Sequence, residues 1–331
     1  MKYRAFGRTG IEVSEVGFGG AGIGHVWGET TDAECVRAVR RALELGINFF
    51  DTSPMYGAGR SETNLGAGLA GSRDRAIIAT KVRLRDEDDL ADMGRAIRCS
   101  VEESLRRLGT GHIDILQIHH QVGRKRGRYL AVADPPRYAL LLDRDDCLAF
   151  AEAASPLIGD GTVRFLGITA WDGDPGVVRA LMESGAFATA QVLYNLVNQT
   201  AARPPSAAFD DIDQGRALVA AAHSNTGVIG VRSHAAGALV DRLDRDVAAG
   251  SDVARDHARA RRLGFLTSPS CPTLSAAALR FCLDHPAIAT VVPGFKNAAE
   301  VEEAVACSDA PPLAAEALAR LDRLLEQGLA D

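Results

Sequence analysis

A chain of 331 residues, 47% apolar and 24% charged, is long enough to bury one large core. Its net charge of −6 and pI near 5.8 exclude a protein built to hold nucleic acid or an anionic membrane surface. No apolar run approaches the roughly 18–20 residues of a membrane span, and Met1–Phe6 lacks a signal-peptide core. The scattered cysteines contain no Cys-x-x-Cys pair, so neither a disulfide frame nor a metal site is expected, and the chain reads as cytoplasmic.

Tyr3–Phe6 and Ile11–Val13, joined by Gly7-Arg-Thr-Gly10, carry a hairpin signature. Val16–Phe18 starts a buried strand, and a glycine-rich loop runs on to Glu29. Thr31-Asp-Ala-Glu34 has capping-box spacing ahead of a helix that ends at Gly46. Phe49–Asp51 is the second strand, Ser61-Glu62 opens a short helix, and the third strand, Ala76–Thr80, ends on Lys81. One amphipathic helix is predicted over 90–108, then a fourth strand, Ile113–Ile118, which delivers His119. A polar, basic loop covers 121–143. Helices over 145–158, 177–182 and 214–223 alternate with strands at Arg164–Thr169, Ala190–Leu193 and Val228–Val231. A second long insertion, 232–270, precedes a helix at 273–283, a strand at Ala289–Val292, a helix at 297–305 and a terminal helix over 313–325. Eight buried strands alternating with helices imply a parallel sheet closed on itself. The expected architecture is one α/β domain over 1–331, a (β/α)8 TIM barrel with an N-terminal β-hairpin and an extra C-terminal helix.

In such a barrel the C-terminal strand ends open onto one face, where ligands bind. Asp51, Tyr56, Lys81 and His119 should therefore converge, although some seventy positions separate them in the chain. Free tyrosine titrates near ~10, so a tyrosine acid or base wants a neighbouring cation. Lys81 can supply it, Asp51 can hold that ammonium, and His119 can aim a hydrogen bond at the same reacting oxygen. Lysine occurs only at positions 2, 81, 125 and 296, a bias that reserves it for places needing a compact ammonium. Gly17-Phe-Gly-Gly-Ala-Gly22 fits the dinucleotide pattern G-x-G-x-x-G, but no helix pattern opens at its third glycine. The segment reads instead as a loop near the substrate, with Trp27 as a pocket wall.

Asp51-Thr-Ser-Pro-Met-Tyr56-Gly-x-Gly-x-Ser61-Glu62, Ala79-Thr-Lys81 and Ile113–His119 together resemble the aldo-keto reductase superfamily, in order and in spacing. The likeness runs from Phe6-Gly-Arg-Thr-Gly10 to Pro293-Gly294, and its N-terminal third resembles the sugar dehydrogenase branch. The resemblance implies hydride transfer between a nicotinamide cofactor and an aldehyde, ketone or sugar, with Tyr56 as proton donor. It also implies that Thr169 and Gln191 hold the nicotinamide carboxamide, although Ala170 stands where the family has asparagine. Arg232-Ser233 replaces an aromatic that usually stacks on the ring, which leaves the hydride energetics open.

Gly294, Lys296, Glu300 and Glu303 fall at the adenosine-phosphate end. Lys296 suits a 2′-phosphate and inclines the reading to NADP, whereas Glu300 suits the ribose hydroxyls of NAD. Met55, His120 and Trp171 flank these positions as pocket candidates, and the basic loop from Arg124 to Arg137 could meet an anionic substrate. The expected partner is a small carbonyl compound or sugar. The alternative is a nucleotide-binding regulatory module with little turnover, like the channel β subunits of the same fold.

Overall fold

The computed structural model describes residues 1–26, 28–131, 137–169, 171–243 and 245–329. β1 (Tyr3–Ala5) and β2 (Glu12–Ser14) form the antiparallel hairpin. β3 (Phe18–Gly19) leads to α1 (Asp32–Glu44), β4 (Phe49–Asp51), α2 (Arg60–Leu69) and β5 (Ile77–Val82). Then come α3 (Glu87–Ala91), α4 (Met93–Leu108), β6 (Ile113–Ile118) and a ribbon of β7 (Gly127–Ala131) and β8 (Arg137–Leu141). α5 (Arg144–Gly159), β9 (Val163–Thr169), α6 (Pro175–Glu183), β10 (Thr189–Leu193), α7 (Ala217–Ser224) and β11 (Gly227–Val231) continue the alternation. α8 (Asp252–Ala260), α9 (Leu274–Leu283), β12 (Thr290–Val291), α10 (Ala298–Asp309) and α11 (Ala315–Glu326) complete the described chain.

Eight strands form one parallel sheet in the order β3-β4-β5-β6-β9-β10-β11-β12. Parallel bridges Val16–Val291 and Gly19–Gly294 join its two edges, so the barrel closes as expected. At this seam the glycine row finds its purpose. A Cβ on Gly19 would lie 2.5 Å from the Pro293 carbonyl oxygen, and one on Gly22 only 2.1 Å from that of Phe295. The glycines let two backbones meet, and α1 opens ten residues after Gly22, capped by the Thr31 side chain on the Glu34 N–H.

Side-chain parity decides what reaches the upper face. Phe49, Ala79, Ile115, Leu193 and Ile229 fill the barrel interior, and Phe6 of the hairpin closes its base edge-on to Phe49 at 5.4 Å. Phe50, Ile78 and Leu116 point outward to the helices. Successive strand side chains alternate, so Asp51, Lys81, Gln117 and His119 must turn back toward the axis. The short buried runs therefore point the polar residues at their tops into the barrel mouth.

Three predicted segments differ. The helix predicted over 90–108 is two helices, because the Asp92 carboxylate accepts the Arg95 N–H at 3.1 Å and starts a new one. The loop predicted over 121–143 contains the β7–β8 ribbon, paired from Gly127–Leu141 to Ala131–Arg137. Its arginines and prolines carry no alternating pattern, so cross-strand pairing was invisible in composition. The second insertion likewise holds α8 and short 3-10 turns.

Gly22→Ala should lower stability by about 1–3 kcal/mol or more, since backbone cannot yield to the new methyl. Gly94→Ala in α4, with open space around the added methyl, should instead raise it by up to about 1 kcal/mol. Thermal and urea denaturation of the two variants checks the contrast.

Candidate active site

At the barrel mouth the fully buried Lys81 ammonium donates to Asp51 Oδ2 and to the Thr52 carbonyl, both at 2.7 Å. Asp51 Oδ1 accepts from two side-chain amides, Gln117 Nε2 at 2.9 Å and Gln191 Nε2 at 2.8 Å. A buried carboxylate thus has every neighbour a donor, the condition under which a buried ion pair is tolerated. Lys81 Nζ lies 4.8 Å from the centre of the Tyr56 ring, and that ring meets His119 edge-on at 6.1 Å. Burial alone would pull the Lys81 pKa down, but Asp51 and Tyr56 outweigh it and the net shift is upward. The ammonium is secure.

The Tyr56 phenol moves up: burial dominates, the Lys81 charge pulls it back, and Asp51 pushes it up again. His119 is held well below its ordinary value by burial and by the charges of Lys81, Arg83 and His120, so it is neutral. Ser53 Oγ accepts the Met55 N–H at 3.1 Å and lies 3.3 Å from His119 Nδ1. With the Ser53 proton directed at Nδ1, the neutral imidazole carries its own proton on Nε2.

Asp51, Tyr56, His119 and Gln191 line one end of a cleft of about 680 Å³. Trp171, Arg232 and Ser233 continue it, and Gly294, Lys296, Glu300 and Glu303 line its far end. Lys296 is engaged there: Glu300 accepts its backbone N–H at 2.7 Å and lies 3.5 Å from its ammonium. Glu303 accepts the Thr273 hydroxyl at 2.8 Å.

The family model for the aldo/keto reductase family matches residues 15–326. The chain belongs to that family. It is 44% identical over 123 residues to L-galactose dehydrogenase of Arabidopsis thaliana, a match spanning 36% of this chain and only 38% of that protein. A match at 27% identity to D-threo-aldose 1-dehydrogenase of a Pseudomonas species covers 89% of both chains. Among solved structures, the holo form of an aldo-keto reductase from Bacillus halodurans is similar at a TM-score of 0.71 and 26% identity, covering 100% of this chain and 97% of that one. A glycerol dehydrogenase from Gluconobacter oxydans is similar at 0.70 and 25% identity, over 97% and 94%.

Thr169 and His120, also marked in the sequence, do not line the cleft of this aldo/keto reductase. Thr169 spends its hydroxyl on the Ile118 carbonyl at 2.8 Å. His120 is buried, accepting the Leu84 N–H at 2.8 Å and donating to the Leu140 carbonyl at 3.1 Å, so it pins the β7–β8 ribbon to the end of β5. Burial brings its pKa down to about 4. Met55 is exposed beside the mouth, and Trp27 and Ala170 lie outside the described residues. The basic segment is largely taken up: Arg124 pairs with Asp174 at 2.8 Å, Arg126 grips Asp146, and Arg128 reaches Glu87 at 3.6 Å.

Residues missed in the sequence include Ser53, Gln117, Arg242 and Arg245. Gln117 shares strand parity with His119, a signal that was legible. The two arginines come from the second insertion and line the cleft, a placement no local pattern announces. With Lys296 they line the same cleft as the Gly294 backbone, a set of donors that fits the phosphates of a dinucleotide. Asn195 Nδ2 donates to the Arg232 carbonyl at 2.9 Å and holds that residue in a left-handed conformation at φ 58°.

Asp51→Asn leaves the buried Lys81 ammonium without its counter-charge and should cost about 3–5 kcal/mol of stability at neutral pH. Denaturant unfolding of the variant, with folding confirmed by circular dichroism, measures the loss.

Proposed function

We propose that this chain is a nicotinamide-dependent oxidoreductase that interconverts a carbonyl and an alcohol on a small hydroxylated molecule, with Tyr56 moving the proton. The observation that carries the reading is the buried Lys81–Asp51 pair beneath Tyr56, at one end of a cleft that Arg242, Arg245 and Lys296 also line. The cofactor, when bound, supplies or accepts the hydride. The rest is the chain's own work. Tyr56, protonated through the neutral range, gives its proton to the substrate oxygen in reduction. Lys81 then faces a phenolate it can stabilise, and neutral His119 donates from Nε2 to the same oxygen. Gln191, between the cleft and Asp51, is placed to meet the nicotinamide end. The sugar dehydrogenases among the relatives support an aldose or related polyol as substrate.

The NADP reading rests on the Lys296 cation. Its pairing with Glu300, beside Glu303, weakens that cation for a 2′-phosphate and supports NAD instead. Unpaired cysteines at 35, 99, 147, 271, 282 and 307 support a reducing, cytoplasmic setting, and no helix among the described residues is long and apolar enough to cross a membrane.

Tyr56→Phe should lower carbonyl reduction by about 10²–10⁴-fold while cofactor still binds, as read by nicotinamide absorbance and fluorescence titration. Turnover close to wild type sinks the acid–base role, and tight cofactor binding with no turnover across aldoses and ketones favours the regulatory alternative. The raised phenol pKa keeps the proton donor present at neutrality and loses it as pH climbs through that value. Reduction should therefore hold level across neutral pH and fall on the alkaline side, while alcohol oxidation rises there. Glu300→Gln should raise the NADP-to-NAD ratio of kcat/KM by about tenfold or more, in line with a carboxylate removed from beside a phosphate.

A further inference from the structure

The substrate side of the mouth carries charge that proton transfer leaves unused. Arg83 follows Lys81 by two residues at the top of β5 and is half-buried. Its Nη2 donates to the Tyr129 hydroxyl of the ribbon at 3.2 Å. Arg232, the residue after β11, is also half-buried and lines the cleft, its guanidinium 5.1 Å over the Trp171 ring. Among the described residues neither guanidinium has a carboxylate within 4.0 Å, while Arg124, Arg126 and Arg128 at the outer ribbon are ion-paired. The acid between them is Asp172, which feels both. Burial raises its carboxyl to about 6 against the pull of Gln121, Arg83 and Arg232, so near neutrality it is mostly ionised and offsets one of the two cations, leaving a net positive charge. The charge of Arg83 also helps to lower the His119 pKa, so Arg83 lies within electrostatic range of the reacting position.

Arg232 at the cleft and Arg83 behind it, with one acid shared between them and no carboxylate of the described residues within 4.0 Å of either, leave positive charge near the opening that an anionic group can meet. Resting on the redox reading above, we infer that the substrate carries an oxyanion, a carboxylate or a phosphate monoester on a hydroxylated carbonyl or alcohol, bound by Arg83 and Arg232. Trp171 and the Tyr129 hydroxyl border that subsite, and Asp172 faces the substrate hydroxyls. The paired outer arginines are not part of it.

The test uses the full chain with its preferred nicotinamide cofactor and three matched substrates: a neutral aldose, the corresponding uronic acid and the corresponding sugar phosphate. The acid or the phosphate should exceed the neutral sugar in kcat/KM by about 10- to 100-fold, the range of a charge-assisted contact. Which of the two leads identifies the oxyanion. Arg83→Gln and Arg232→Gln should each cut the charged-to-neutral ratio about tenfold, and Arg83→Lys should keep part of it. Calorimetric titration of Tyr56→Phe with oxidised cofactor and each sugar separates the two readings. Selective binding of a charged sugar without wild-type turnover upholds the subsite and removes the redox role. Good turnover of neutral sugars, with no gain from either anion and no change in the ratio on replacing the arginines, overturns the subsite and leaves the redox role standing.

Discussion

The upper face of this barrel depends on the ion pair between Lys81 and Asp51. Moving two charges out of water costs several kcal/mol each, and a pair alone seldom offsets it. Here the Thr52 carbonyl takes a second ammonium proton, and the amides of Gln117 and Gln191 cover the other carboxylate oxygen. The pair is then a fixed dipole with one open side, and Tyr56 stands on that side. Gln117 brings a cost of its own, because its buried carbonyl oxygen has no hydrogen-bond partner among the described residues. Such an orphan acceptor is the sort of local penalty that functional sites carry and structural cores avoid.

Fixing that dipole requires three strands in register. Asp51 pairs with Ala79, and Lys81 with Gln117, so the interacting residues come from adjacent strands at nearly one level. Behind them, Thr80 donates to Glu62 at 2.6 Å, and Glu62 receives Arg107 Nε at 2.6 Å. The Ser61 hydroxyl donates to the Gly20 carbonyl at 2.7 Å. The Ser-Glu pair that helps to mark the family is thus a brace, tying α2 to β5 and to the seam without entering the cleft. Rigid support of this kind is what keeps a catalytic geometry from loosening.

The cleft changes character along its length. Near Tyr56 it is polar and framed by aromatic rings, whereas at its far end it alternates charge: Arg242, Arg245 and Lys296 against Glu300 and Glu303. The arginines are supplied by the segment after β11, a long connection of the sort that sets specificity in such barrels. Tyr56 shows why charge and burial must be weighed together. A cation close to a phenol does not by itself make an acid of neutral strength, because desolvation acts harder and in the opposite direction.

The alternation of eight short buried runs with helical patterns, and the polar residues at the ends of those runs, settled from sequence alone the barrel and the meeting of four distant side chains. Those are consequences of local periodicity and chain order, which a sequence carries openly. The β7–β8 ribbon, the turning of His120 into that ribbon, the amide clamp of Gln117 and Gln191, and the engagement of Lys296 by Glu300 were decided only by the tertiary structure. Each depends on which hydrogen-bond partner comes within about 3 Å once the chain has closed, and no spacing in one dimension specifies that distance.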